Sequence, residues 1–279
     1  MLSYRHAFHA GNHADVLKHM LLVELIRYLE QKEKPFWVID THAGAGVYAL
    51  DQGYATKLSE FETGISRLWG HENLPGPLAA YVELVRELNP DGKLRLYPGS
   101  PWLAYKTMRR QDSLRLFELH SSDSRLLQEN FAETGRRVVI SSTDGFAGLK
   151  SVLPPQPRRG LVLIDPSYEL RDDYRHVRQA LQDAMARFAT GTYAIWYPQL
   201  SRNESQQFPD KLKQLAGKNW LHVALSVHTP GGLGMHGSGM FVINPPWTLH
   251  QTLQQVMPFL VSTLGQDNGA GYVLEHETD

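Results

Sequence analysis

The chain contains no cysteine. Disulfides and thiolate-held metals are thereby excluded, and the composition predicts a protein of the reducing cytoplasm. It also lacks any apolar run near the roughly 20 residues that cross a bilayer. Its opening residues, Met1-Leu2-Ser3-Tyr4-Arg5-His6, lack the apolar core of a secretory signal, so no membrane partner is expected. Charge of one sign is missing too: 28 Lys and Arg face 29 Asp and Glu, a formal net charge of −1. With no global basic field, contact with a nucleic acid has to rest on local groups such as Lys106-Thr107-Met108-Arg109-Arg110, Arg136-Arg137, Arg171, Arg175 and Arg178. Arg158-Arg159 falls at the wrong end of its strand and reads as plain surface. What is present is a chain of 279 residues, 42% apolar, enough for one large α/β domain or one domain carrying an insertion.

Four short apolar runs each end in an acid. Phe36-Trp37-Val38-Ile39-Asp40 leads into Thr41-His42-Ala43-Gly44-Ala45-Gly46, where two glycines permit a tight turn and a close backbone approach to a ligand. Leu114 to Glu118 ends in a carboxylate suited to accept from both hydroxyls of a ribose. Val138-Val139-Ile140 runs on to Asp144-Gly145, and Leu161-Val162-Leu163-Ile164 ends in Asp165-Pro166-Ser167-Tyr168. Three further runs, at 192–198, 221–227 and 239–246, complete seven expected strands. Ligands gather at the carboxyl ends of such strands. A ribose acid, an acid near an adenine amine and a glycine backbone beside an amino-acid moiety together suit S-adenosylmethionine.

Asp165-Pro166-Ser167-Tyr168 suits alkylation of an amine conjugated to a base ring. Such a nitrogen is a poor nucleophile because its lone pair is delocalised, so both of its N–H groups have to be held. The Asp165 carboxylate accepts one and the Pro166 carbonyl the other, while the Tyr168 ring offers the base a flat face.

Between 50 and 97 helical spacing prevails, with turns at 74–77 and 89–92. The chain is accordingly expected to divide into residues 1–49 (an N-terminal motif and the first βα unit), a helical insertion at 50–97, and the remainder at 98–279. A helix is predicted from Ala14 to about Glu30. His9 and His13, like Asp15 and His19, stand four apart, but Gly11-Asn12 interrupts the first pair and nothing completes a ligand set, so no metal is expected. Gly231 to Ser238 reads as a glycine-rich connection.

Along essentially its whole length the sequence resembles the bacterial ribosomal RNA large subunit methyltransferase J family. The resemblance is carried by Leu2 to His19, Asp40 to Gly46, Tyr97 to Pro101, Arg159 to Tyr168 and Gly239 to Trp247. It implies a Rossmann-like, S-adenosylmethionine-dependent α/β domain with a seven-stranded, mostly parallel sheet and an inserted helical subdomain. The implied reaction is N6-methylation of an adenosine in 23S ribosomal RNA by a monomer without a metal. Carried over by position, His19, His42, Ser100, Glu118, Asp144, Gly145 and Asp165 are the implied cofactor contacts, with Asp165 and Pro166 at the reacting amine. Tyr4, His6 and Lys18 match the family's amino-terminal motif, which by that resemblance is expected to close over the cofactor and help form the substrate pocket. Ser167 departs from the proline the family usually carries.

Three other readings compete. One is an adenine or cytosine amino-methyltransferase acting on DNA or another RNA. The second is a dinucleotide-dependent oxidoreductase, which leaves Asp165 to Tyr168 unexplained. The third is an RNA-binding scaffold without catalysis.

Overall fold

The runs that lack polar interruption become the centre of a sheet. The computed structural model describes residues 6–52, 55–231 and 234–278. Its strands are β1 (Trp37–Asp40), β2 (Val47–Ala49), β3 (Leu96–Pro98), β4 (Ser113–Phe117), β5 (Val138–Ser141), β6 (Gly160–Ile164), β7 (Thr192–Gln199), β8 (Trp220–Ser226), β9 (Gly237–Ile243) and β10 (Gly271–Glu277). Eight of them form one sheet in the order β10-β8-β9-β7-β6-β1-β4-β5, and β2 pairs with β3 apart from it. β9 and β10 run against the other six. The sheet is therefore mostly parallel, as expected, but has eight strands rather than seven.

The additional strand, β10, pairs antiparallel with β8 along its full length, from Gly271 opposite Ser226 to Glu277 opposite Trp220. It escapes a hydrophobicity reading because it is an edge strand with most residues exposed. β6, by contrast, is buried at all five positions, which is why a continuous apolar run marks it.

From β1 the chain proceeds outward through β4 and β5, then returns to place β6 on the other side of β1. β1 is in register with both neighbours, Asp40 opposite Leu116 and Leu163. The strand order reverses between β1 and β6, and at their carboxyl ends the diverging connections leave a crevice.

The helix His13–Glu30 is buried on nearly every side. Gly11 adopts φ +78° just before it, and the Asn12 side chain caps it by accepting from the Ala14 and Asp15 N–H groups at 3.0 Å each. Between β2 and β3 lie Ala55–Leu58, Glu60–Thr63, Ser66–Trp69 and the longer helix Gly76–Glu87, which packs on His13–Glu30. Among the described residues no helix is long and apolar enough to cross a membrane.

Candidate functional site

Each strand that ends in the crevice contributes a differently constrained acid. Asp40, at the end of β1, is buried and points away from open space: it accepts from the Ser100 hydroxyl at 2.6 Å and the His42 N–H at 3.1 Å. Burial pushes its carboxyl up to about 6 against those two hydrogen bonds. It holds the turn that follows, in which Gly44 and Gly46 take φ of +61° and +81°. A Cβ on Gly44 would fall 2.1 Å from the Tyr48 hydroxyl oxygen, so a side chain here would have to displace that ring as well as adopt a left-handed backbone.

Glu118 follows β4. One carboxylate oxygen accepts from the Gly44 N–H and the other from the His120 N–H, both at 2.7 Å. Burial nevertheless raises its carboxyl. Each oxygen retains a second lone pair, so two further donors can still be accepted. Asp144 caps the helix Gly145–Val152 by accepting from the Phe146 N–H at 2.9 Å. Gly145 allows that helix to approach β1, since a Cβ there would lie 2.0 Å from the Thr41 carbonyl oxygen.

Asp165 follows β6 and meets the N-terminal region. The Lys18 ammonium donates to its Oδ2 at 2.6 Å and also lies 2.9 Å from Asp15 Oδ1. Asp15 Oδ2 in turn is 3.0 Å from His6 Nε2. Burial opposes the charge on Lys18, but the two carboxylates outweigh it and raise its pKa. His19, one position on, contacts the Tyr97 hydroxyl at 2.7 Å, and burial lowers its imidazole to about 3.

These groups surround a cavity of about 260 Å³ whose wall includes His6, Lys18, His19, His42, Ser100, Glu118, Asp144, Gly145, Asp165 and Pro166. A second cavity of about 170 Å³ shares His6, Lys18, Asp165 and Ser167 with the first and adds Asp15, Trp196, Pro198, Leu200 and Met235. The two meet at the Lys18–Asp165 pair. A larger hollow of about 480 Å³, lined by Glu24, Arg27, Tyr28 and Thr248, has none of these groups.

Of the residues singled out in the sequence, Tyr4 lies outside the described residues. Tyr168 requires correction. Its ring is 1% exposed and packs against Tyr174, Trp196 and Phe208, with its hydroxyl donating to the Trp196 carbonyl at 2.7 Å. It lines neither cavity, and its backbone takes φ +52°. The aromatic ring that does border the second cavity beside Asp165 is Trp196. The sequence does not single it out, because Trp196 sits inside a buried strand with nothing local to distinguish it from core.

Asp15 has helical spacing to His19, but its close partners are His6, Gly11 and Lys18. Among the described residues there is no cluster of three or more His, Cys, Asp or Glu able to hold a metal ion. His9 instead pairs with Glu60 at 3.0 Å.

The chain is similar to known proteins over nearly its whole length. The family model described as Ribosomal RNA large subunit methyltransferase D, RlmJ matches residues 33–275. The Ribosomal RNA large subunit methyltransferase J of Haemophilus influenzae is 45% identical over 277 residues, spanning 99% of this chain and 98% of that protein. Its counterpart of the same name from Escherichia coli is 47% identical over 265 residues, spanning 95% and 94%. A crystal structure of a Legionella pneumophila protein superposes with a TM-score of 0.90 at 34% identity, covering 96% of this chain and 98% of that one.

Proposed function

The chain belongs to the ribosomal RNA large subunit methyltransferase J family, and from that premise we propose that it methylates N6 of an adenosine in 23S ribosomal RNA. It is an S-adenosylmethionine-dependent ribosomal RNA methyltransferase. We further read it as a monomer acting in the cytoplasm, with residues 50–97 as an inserted helical unit.

The cavity fits the cofactor chemically. Glu118 has lone pairs to spare for two ribose hydroxyls, Asp144 lines the same cavity and is left to the adenine amine, and Gly44 and Gly145 bring backbone close to the cavity. His19, His42 and Ser100 are left to the methionine end. When bound, the cofactor supplies an electrophilic methyl group on a sulfonium. The protein's task is then to hold the target amine. Asp165 accepts one N–H and later the proton released as the nitrogen is alkylated, and the Pro166 carbonyl accepts the other N–H. With Tyr168 buried, the face for the base falls to Trp196. Proximity and orientation supply most of the acceleration.

The observation that carries this reading is that residues from the N-terminal region and from the segments that follow β1, β3, β4, β5 and β6 line one cavity together with Asp165. The test is incubation with labelled S-adenosylmethionine and unmodified 23S rRNA, alongside DNA of matched sequence, followed by nucleoside mass spectrometry. Label in N6-methyladenosine from the RNA alone is expected. Label in another nucleoside, or equal labelling of the DNA, would replace the reading.

A further inference from the structure

The Asp165 carboxylate that should receive the amine is already engaged. Lys18 donates to it at 2.6 Å, and Lys18 is itself 3% exposed. An incoming amine therefore competes with a buried ammonium, and stripping that ammonium of every carboxylate would strand a charge in the interior. Asp15 removes the difficulty, since its Oδ1 lies 2.9 Å from the same nitrogen. Asp15 does not depend on Asp165 for its own place. It is 1% exposed, and its Oδ2 is fixed by the Gly11 N–H at 2.9 Å and by His6 Nε2 at 3.0 Å. Burial alone would raise its carboxyl, but neighbouring His6, Lys18 and His19 outweigh that and hold it well below its usual range, so it stays ionised.

We propose that Asp15 is a positioning residue: it shares the Lys18 ammonium with Asp165, so that Lys18 yields Asp165 to the substrate amine without becoming an unpaired buried cation. The inference rests on the methyl-transfer reading above and adds to it a residue that touches neither reacting atom. Neutralising Asp15 leaves Lys18 and Asp165 as a closed pair, which the amine has to break. Asp15 lines the second cavity and not the first, so the effect falls on the reacting geometry rather than on cofactor affinity.

The test compares the parent with Asp15→Asn, Asp15→Glu, Lys18→Met and the Asp15→Asn/Lys18→Met double variant in methylation of 23S rRNA. Cofactor affinity by calorimetry and thermal midpoints are measured in parallel. Asp15→Asn should lower kcat by about tenfold or more, the loss of one charge-assisted hydrogen bond, with KM for the RNA and cofactor affinity nearly unchanged. Asp15→Glu, which keeps the charge, should retain more of the rate. The double variant should match Lys18→Met, because Asp15 acts through Lys18.

Parental kcat in Asp15→Asn overturns the proposal. So does a double variant slowed by the product of the two single effects, which would mark a contribution independent of Lys18. If Asp15→Asn does not fold, the double variant decides against Lys18→Met alone: equal rates support the proposal, and a slower double variant overturns it. A parent that transfers nothing to the RNA overturns the functional reading and this inference together. An active parent with an equally active Asp15→Asn overturns the inference alone.

Discussion

The two ends of the parallel strands use charge in opposite ways. At the amino ends, guanidinium groups are consumed by the backbone. Arg109 donates to the carbonyls of Glu30 and Lys32 and to Asp112, Arg159 to those of Leu29 and Lys34, and Arg137 to those of Tyr105 and Met108. At the carboxyl ends, Glu118, Asp144 and Asp165 have protein partners yet still face a cavity. A saturated polar group stabilises a fold, whereas one with lone pairs left over and a cavity in front of it is available to a ligand. The basic groups that read as nucleic-acid contacts in the sequence are turned, at Arg109 and Arg137, onto backbone carbonyls, and Arg159 joins them there, although the buried Arg137 Nε has no hydrogen-bond partner.

The contrast breaks most severely at Asp165. Asp165→Ala should lower the single-turnover methylation rate by about 10²–10³, by analogy with removing one preorganised hydrogen-bonding group from an active site. Its thermal midpoint should move far less than that rate implies, and a near-parental rate would remove Asp165 from the reaction. Glu118→Ala should weaken S-adenosylmethionine binding by about ten- to a hundredfold, the loss of a charged hydrogen-bonding group. Calorimetry showing unchanged affinity would take the ribose away from Glu118.

Arg109→Ala sharpens the other side. It should reduce stability by about 1–3 kcal/mol through the carbonyls left without donors, while activity per folded molecule stays parental. A loss of activity without a loss of stability would mean that the amino-end edge also serves the reaction.

The smallest effect concerns acid. Burial lowers the imidazoles of His13 and His19 to about 4 and about 3. Folded pKa values below the unfolded value of 6.5 mean that their contribution is complete above pH 6.5 and is lost as pH falls toward 4, where the unfolded chain takes up protons the folded one refuses. Asp40, raised to about 6, works in the opposite sense, so the informative quantity is a difference. His19→Asn should make the fall in denaturant midpoint between pH 6.5 and 4 shallower than in the parent. Parallel curves would contradict the buried neutral His19.

Much of this architecture is legible in the amino-acid sequence. Continuous apolar runs such as Leu161 to Ile164 give the central strands because both faces are covered, and acids placed directly after them mark the crevice. Edge elements are not legible: β10 reads Gly-Tyr-Val-Leu-Glu-His-Glu and is held by backbone pairing to β8, which leaves little hydrophobic trace. β3, only three residues long and ending in Pro98, resembles a turn for the same reason. In the site, residue types are readable but directions are not. The sequence places an aromatic after Asp165-Pro166-Ser167, yet Tyr168 packs into the core against Tyr174, Trp196 and Phe208, and the indole that borders the second cavity is that of Trp196, from β7. Asp15 shows a helical spacing to His19, but its role depends on Lys18 reaching Asp165, 147 positions away.

The most direct test of the claim that the carboxyl-end cavity is the reaction site is a crystal structure with S-adenosylhomocysteine bound. Ribose density is expected against Glu118, the adenine beside Asp144, and the sulfur facing Asp165. Ligand density anywhere else, or a ribose away from Glu118, would contradict it.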